Sequence, residues 1–279
     1  DDAPLPPPRR TSSAVILTSG TTGTPKGARR HVRLSLASGG PLALVSRIPV
    51  RAGRPTLIAA PMFHAWGFAH FGVCLAMASP MVVQPRFEPE AVLAAIERHR
   101  IDTLVVVPVM LQRLLAVDEG VRRRYDLSSL RLVAASGSAL PRGLADRFMD
   151  AFGDVLYSLY GSTEVAWAAI AGPDHLRAAP DTAGPPVADL RLLDESGRPV
   201  EPGATGRIFV RNTLLFDGYT GGGSKDVVDG FMSTGDVGHL DERGWLQVDG
   251  RDDDMIVSGG ENVFPPEVEG VIMTHPSVA

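Results

Sequence analysis

The sequence predicts an α/β protein: a largely parallel β-sheet with flanking helices, then a small antiparallel β-barrel, then the start of a truncated C-terminal α+β domain. Three observations predict it. From residue 14 to about 170, short apolar β-branched runs alternate with stretches of helical spacing, the pattern of a parallel sheet covered on both faces. After about residue 180 the helical periods disappear and short strand-like runs are split by Gly/Pro turns. From Arg251 onward a strand, a glycine-bearing loop and a helix beginning near Pro266 open a further unit too short to fold alone. The implied boundaries are 1–13 (proline-rich linker or cut end), 14–180, 181–250 and 251–279.

The strand candidates of the first region are "AVILT" from Ala14, "TLIAA" from Thr56, "PMVVQ" from Pro80, "TLVVV" from Thr103, "RLVAA" from Arg131 and "VLYSLY" from Val155. Between them, "EPEAVLAAIERHR" carries Pro89 in a first helical turn and places Val92, Leu93 and Ile96 on one face. In "PRGLADRFMDAFG", Leu144, Phe148 and Phe152 repeat at four, and Gly153 supplies the stop. In the second region "LRLLDESGRPVEPGATGRIFVRN" reads as two strands around a turn, and "GHLDERGWLQVDGR" as a hairpin.

Composition narrows the function classes. The 279 residues are 44% hydrophobic and 21% charged, the balance of a globular chain with a sizeable core. A net charge of −5 provides no global basic field for nucleic acid, and the compact basic run Arg122–Arg124 reads as a solvated helix end. The single cysteine, Cys74, lies in an apolar run and reads as a buried small hydrophobe, not a nucleophile. One cysteine forms no internal disulfide, which fits a cytoplasmic protein. No apolar run reaches the roughly 18 residues of a membrane span, so no integral membrane segment is expected, and peripheral association is left open.

The chemistry concentrates in "TSGTTGTPKG", which follows the first strand. Hydroxyls and glycine amides supply many hydrogen-bond donors in little space, glycine permits close backbone approach to a polyphosphate, and Lys26 adds a point charge. The register is not that of a Walker loop, because Lys26 follows proline and precedes glycine. A generic Gly/Thr turn is the alternative reading of the decapeptide alone.

Five further stretches follow in order: "PMFHAWGF" (Pro61–Phe68), "ASGSALP" (Ala135–Pro141), "LYGSTE" (Leu159–Glu164), "STGDVGHLDERGW" (Ser233–Trp245) and "GRDDDMIVSGGENVFPPEVE" (Gly250–Glu269). Together with the loop they resemble the adenylate-forming superfamily of acyl-CoA synthetases, luciferases and peptide-synthetase adenylation domains, and most resemble a fatty-acid–CoA ligase. The resemblance implies a two-step reaction. A carboxylic acid attacks the α-phosphate of ATP with loss of pyrophosphate, and the acyl group then passes from AMP to the thiol of coenzyme A. ATP, Mg²⁺ and coenzyme A are the implied small molecules, and no protein nucleophile is required.

By matching position, the resemblance assigns Thr18, Ser19, Gly20, Thr21, Thr22, Gly23 and Lys26 to the β- and γ-phosphates. Tyr160 would stack on adenine, with Gly161 and Ser162 in the same nucleotide-binding turn. Thr163 would donate to the α-phosphate and Glu164 would hold Mg²⁺, a cation that makes sense of a carboxylate beside a polyphosphate. Gly137 and Ser138 would line the adenine and acyl pockets, Ser138 standing where alanine is more usual. Asp236 would take the ribose hydroxyls and Arg251 would support the same sugar. His64 falls near the acyl pocket and thiol entrance, as a gate or as a buried histidine satisfied by backbone. Trp66, Phe68 and Trp167 read as tunnel lining or, better, as aromatic core.

Consecutive side chains of Asp252–Asp254 diverge, which argues against a metal cluster, and the resemblance makes Asp253 the hinge between large and small domains. Ser258, Gly259 and Gly260 would lie in the thiol-entry tunnel. The long segment that precedes the loop in the family and the catalytic lysine near its C-terminus have no counterpart here, and Lys225 does not match that lysine. The polypeptide 1–279 by itself is therefore expected to have little or no adenylation activity. Two other readings remain open: delivery of the adenylate to a carrier-protein pantetheine, or a nucleotide- or acyl-binding remnant without turnover.

Overall fold

The structure, a computed structural model, describes residues 14–18, 26–30, 47–258 and 261–272. The chain opens on a hairpin of Ala14–Thr18 (β1) and Lys26–Arg30 (β2), antiparallel with Thr18 opposite Lys26 and Ala14 opposite Arg30. A two-residue strand, Gly218–Tyr219 (β11), adds to the other side of β2. The first strand thus forms where the apolar run predicts it, but outside the parallel sheet. Its side chains give the reason: Val15 and Leu17 are 49% and 65% exposed, so this run is not a strand buried on both faces.

The central sheet has six strands in the order β4-β3-β5-β6-β7-β8, formed by Thr56–Ile58 (β3), Met81–Val83 (β4), Thr103–Val106 (β5), Leu132–Ala135 (β6), Leu156–Tyr160 (β7) and Ala169–Ala171 (β8). All neighbours are parallel except the β7–β8 pair, so the sheet carries one antiparallel edge. Alternate residues feed two cores, as the two-residue period of a strand requires. Leu57, Leu104, Val106, Val133 and Ala135 face one core, and Ile58, Val105, Leu132 and Ala134 face the other.

The helices divide between those faces. Ala65–Ala76 (α1) brings Trp66 and Cys74 to the second core. Pro89–His99 (α2), Pro108–Leu115 (α3) and Leu144–Phe152 (α5) cover the first. The Pro89 signal holds, and Pro108, not anticipated from the sequence, starts α3 in the same way, where the missing N–H costs nothing. Gly153 ends α5, and Phe148 stacks on Phe152 at 4.5 Å within that helix. A single turn, Glu119–Arg122 (α4), is capped by the Asp118 carboxylate. Arg123 and Arg124 at its end are exposed and Arg123 pairs with Glu119. Arg122 departs from the expected solvated end, half-buried with its guanidinium 5.6 Å from the centre of the Phe152 ring. Pro173–Ala178 (α6) closes the region.

Beyond it, Asp189–Leu193 (β9), Gly206–Arg211 (β10), Val227–Val228 (β12), Phe231–Leu240 (β13) and Leu246–Arg251 (β14) form a five-stranded antiparallel sheet. It is a curled half-barrel: among the described residues β9 remains an edge, so the barrel expected from the sequence is open. The long strand β13 pairs β12 with its first half and β14 with its second, and the expected hairpin is the β13–β14 pair. Ile256–Ser258 (β15) and Glu261–Val263 (β16) make a small ladder, followed by Pro265–Ile272 (α7).

Candidate active site

In open α/β sheets, ligands sit outside the carboxyl ends of the parallel strands. Two of the sequence motifs lie there. β6 runs into Ser136-Gly137-Ser138, and β7 ends on Tyr160 before Gly161-Ser162-Thr163-Glu164. The buried Ser136 hydroxyl donates to the Leu159 carbonyl at 2.9 Å and ties the two turns together. Gly137 has φ +105°, a conformation that favours glycine, and Ser138 beside it is exposed. A Cβ on Gly161 would run into the Ala166 carbonyl, so this residue must be glycine for the turn to close. Ser162 caps the turn: its hydroxyl accepts from the Glu164 and Val165 amides at 3.2 and 3.3 Å.

The antiparallel half delivers side chains to the same place. Asp236 and Arg251 are direct cross-strand partners on β13 and β14, with Nη1 3.6 Å from Oδ1. The Tyr160 hydroxyl donates to Asp236 Oδ2 at 2.6 Å across 76 residues of chain. Burial lifts the Asp236 carboxyl above its ordinary pKa, and the Tyr160 hydrogen bond and the charges of Arg251 and Lys225 pull it back. Burial, then the Asp236 charge, pushes the Tyr160 phenol well above its usual value, so it remains a donor. Arg251 also grips Asp253, Nε to Oδ1 at 3.0 Å, while Asp252 turns to Arg207 at 2.9 Å. Neighbouring carboxylates of the acidic run thus turn to different arginines.

Around Glu164 a second cluster forms. Glu164 is buried, and Tyr219 donates to its Oε1 at 2.7 Å. Arg30 donates from Nη2 to the Thr163 carbonyl at 2.6 Å, and Glu164 is among the charges that act on its guanidinium. The Lys26 ammonium lies 5.5 Å from the centre of the Tyr219 ring. Asn212 supports the same turn from outside, its amide donating to the carbonyls of Val165 and Trp167 at 2.7 and 3.1 Å. Arg30, Tyr219 and Asn212 were not legible as site residues. Their only local signal is the positive charge after the phosphate loop, since Tyr219 and Asn212 arrive through long-range pairing.

Other expected residues fall elsewhere. Ser19, Gly20, Thr21, Thr22 and Gly23 lie outside the described residues, between Thr18 and Lys26. Gly259 and Gly260 also lie outside them, next to Ser258 at the end of β15. His64 is an exposed N-terminal cap residue of α1, its ring 4.6 Å from that of Phe63, and is not the buried histidine offered as its alternative. That position belongs to His70: Nδ1 lies 3.1 Å from the Trp66 carbonyl, and burial pulls its pKa down to about 4. Trp66 is core, donating to the Val106 carbonyl at 3.0 Å, and Trp167 packs half-buried against the same core. Phe68 departs from the core expectation at 45% exposure. It stacks on Phe71, which is itself partly buried against that core, with centroids 6.4 Å apart. Cys74 is buried, as its apolar run predicts, and burial raises its thiol pKa. Lys225 lines a polar cleft of about 320 Å³ with Arg207, Arg251 and Asp253.

Known proteins resemble this chain in sequence and in fold. The family described as AMP-binding enzyme matches residues 1–220. An indoleacetate–CoA ligase of Aromatoleum aromaticum is 36% identical over 97% of this chain and 53% of its own length. The medium/long-chain-fatty-acid–CoA ligase FadD8 of Mycobacterium tuberculosis is 36% identical over 99% and 48%. The o-succinylbenzoate CoA synthetase of Bacillus subtilis, solved with its acyl-adenylate intermediate, superposes with a TM-score of 0.83 at 29% identity, covering 95% of this chain and 54% of that one. The chain thus spans about half the length of the curated relatives it matches. On the family match, which takes in both the loop and the Tyr160–Glu164 turn, the chain belongs to the AMP-binding enzyme family.

Proposed function

We propose that this chain is the nucleotide- and acyl-binding part of an ATP-dependent carboxylate–CoA ligase whose acid is a fatty acid. The observation that carries the reading is the convergence of Tyr160, Asp236 and Arg251 on one point beside the Thr163–Glu164 turn. A buried acceptor-only carboxylate next to a cation suits vicinal ribose hydroxyls, and the turn beside it would meet the α-phosphate. The loop from Thr18 to Lys26 would hold the β- and γ-phosphates, the part that leaves.

In this reading a carboxylate oxygen forms a bond to the α-phosphorus, the bond to pyrophosphate breaks, and acyl-AMP results. The coenzyme A thiol then attacks the acyl carbon and AMP leaves. The chain's own work is placement and charge stabilisation, with Thr163 donating to the α-phosphate and Lys26 and Arg251 as fixed cations. His64, exposed at the start of α1, would stand at the acyl and thiol entrance. Ser258, Gly259 and Gly260 would border the pantetheine path, and Asp253 would be the hinge. Glu164 fits a magnesium ion by its chemistry: it is a buried hard oxygen donor, and one carboxylate plus substrate phosphates is how Mg²⁺ is commonly held. When bound, that ion would neutralise charge on the phosphate oxygens.

The likeness to FadD8 supports a fatty acid, and the indoleacetate and feruloyl ligases among the relatives support an aromatic acid as the second reading. The test is ATP–pyrophosphate exchange by the full-length protein across fatty and aromatic acids. Exchange with a fatty acid is expected; exchange with aromatic acids alone would replace the substrate class, and failure with every acid would overturn the ligase reading.

A further inference from the structure

We propose that Tyr219 is a positioning residue for the Glu164 carboxylate, holding Oε1 so that Oε2 is presented to the cation that accompanies ATP. The inference rests on the ligase reading above and extends it to a residue brought in from the second half of the chain.

The geometry is a two-point grip. The Phe216 amide donates to the Glu164 carbonyl at 2.8 Å, and three residues later the Tyr219 hydroxyl donates to the Glu164 side chain at 2.7 Å. The gripping segment is itself fixed: Tyr219 pairs with Ala28 and Gly218 with Arg29 on the strand that emerges from the phosphate loop. The Tyr219 ring stands edge-on to Phe216 at 4.8 Å and faces the Lys26 ammonium at 5.5 Å. One side chain therefore touches the proposed metal carboxylate with its hydroxyl and the loop lysine with its ring.

A glutamate has three rotatable bonds, and a carboxylate that must meet both a cation and a polyphosphate gains from being held in one orientation beforehand. Partners that orient a metal ligand without touching the metal typically contribute 10–100-fold in metal affinity. Tyr219 has the contacts of such a partner. A purely structural tyrosine would instead join β11 to the turn without regard to the cation.

The experiment is calorimetric titration of ATP into the full-length protein over a series of Mg²⁺ concentrations. Tyr219→Phe keeps the ring against Phe216 and beside Lys26 and removes only the hydroxyl. The half-saturating Mg²⁺ concentration is expected to rise about tenfold, with ATP binding in the absence of Mg²⁺ and the melting midpoint unchanged. Adding Tyr219→Phe to Glu164→Gln is expected to shift it no further than Glu164→Gln alone. An unchanged Mg²⁺ dependence in Tyr219→Phe overturns the proposal. So does an equal shift on the Glu164→Gln background. Loss of fold in Tyr219→Phe overturns it too, because the hydroxyl would then be structural. Wild-type protein that binds no ATP overturns the ligase reading instead.

Discussion

The parallel and antiparallel halves of the chain give different kinds of group to one crevice. The parallel sheet contributes turns, Ser136–Ser138 and Gly161–Glu164, whose backbones hold their shape through hydrogen bonds such as Ser136 to Leu159. The antiparallel half contributes charged side chains on a long, bulged strand and its partner, Asp236 and Arg251 above all. The difference follows from burial. Strands β5 and β6 are fully buried and cannot carry charge along their length, so their chemistry is confined to their ends. A half-barrel with one wet face can place an aspartate in mid-strand, Asp236 on β13, opposite an arginine at the end of β14.

This contrast can be broken from either side. The largest effect is expected in the parallel half: Phe148→Ala on α5, a fully buried ring, should cost about 3–5 kcal/mol in urea unfolding. A loss under 1 kcal/mol would mean that the core is not as tightly packed as described. A second effect of about 3 kcal/mol belongs to His70 on α1, whose pKa falls from 6.5 to about 4 on burial. The unfolded chain takes up the proton first, so stability is full above pH 6.5 and declines as pH falls from 6.5 toward 4. His70→Phe should flatten that slope in a series of melts between those values, and an unaltered slope would assign it to other groups. The smallest effect on fold and the sharpest on ligand is expected at Asp236→Asn. It preserves an acceptor for Tyr160 but removes the charge. ATP affinity should fall about 10–30-fold by calorimetry, the size of a charge-assisted hydrogen bond of roughly 1.5–2 kcal/mol. The melting midpoint should not fall, because burial already penalises the ionised carboxylate. A fall in stability with ATP affinity intact would make Asp236 a structural residue.

The same contrast decides what was readable beforehand. Proline and glycine punctuation located α2 and α5, and apolar runs located β3 to β7, because both signals are local. The motif turns were legible for the same reason. Partner choice was not. "AVILT" carries a strand's composition whether it joins a parallel sheet or a hairpin, and only the exposure of Val15 and Leu17 tells them apart. Tyr219 and Asn212 have no nearby motif that marks them; they become site residues through β11 and through the loop after β10. His64 likewise carried two readings, gate or buried histidine, which its neighbours in sequence do not decide. His64 lies at the exposed end of the helix, whereas His70 is carried by helical turns onto the buried face.

Thr18 and Lys26 are ladder partners at the end of the β1–β2 hairpin. Seven residues, 19–25, therefore leave and rejoin the protein within about 5 Å of each other. The entropy of bringing the two ends of that span together has thus been met by the ladder itself. A substitution at Gly27, whose added Cβ would meet the Val15 side chain at 2.8 Å, is therefore expected to undo that closure and not merely to trim a contact.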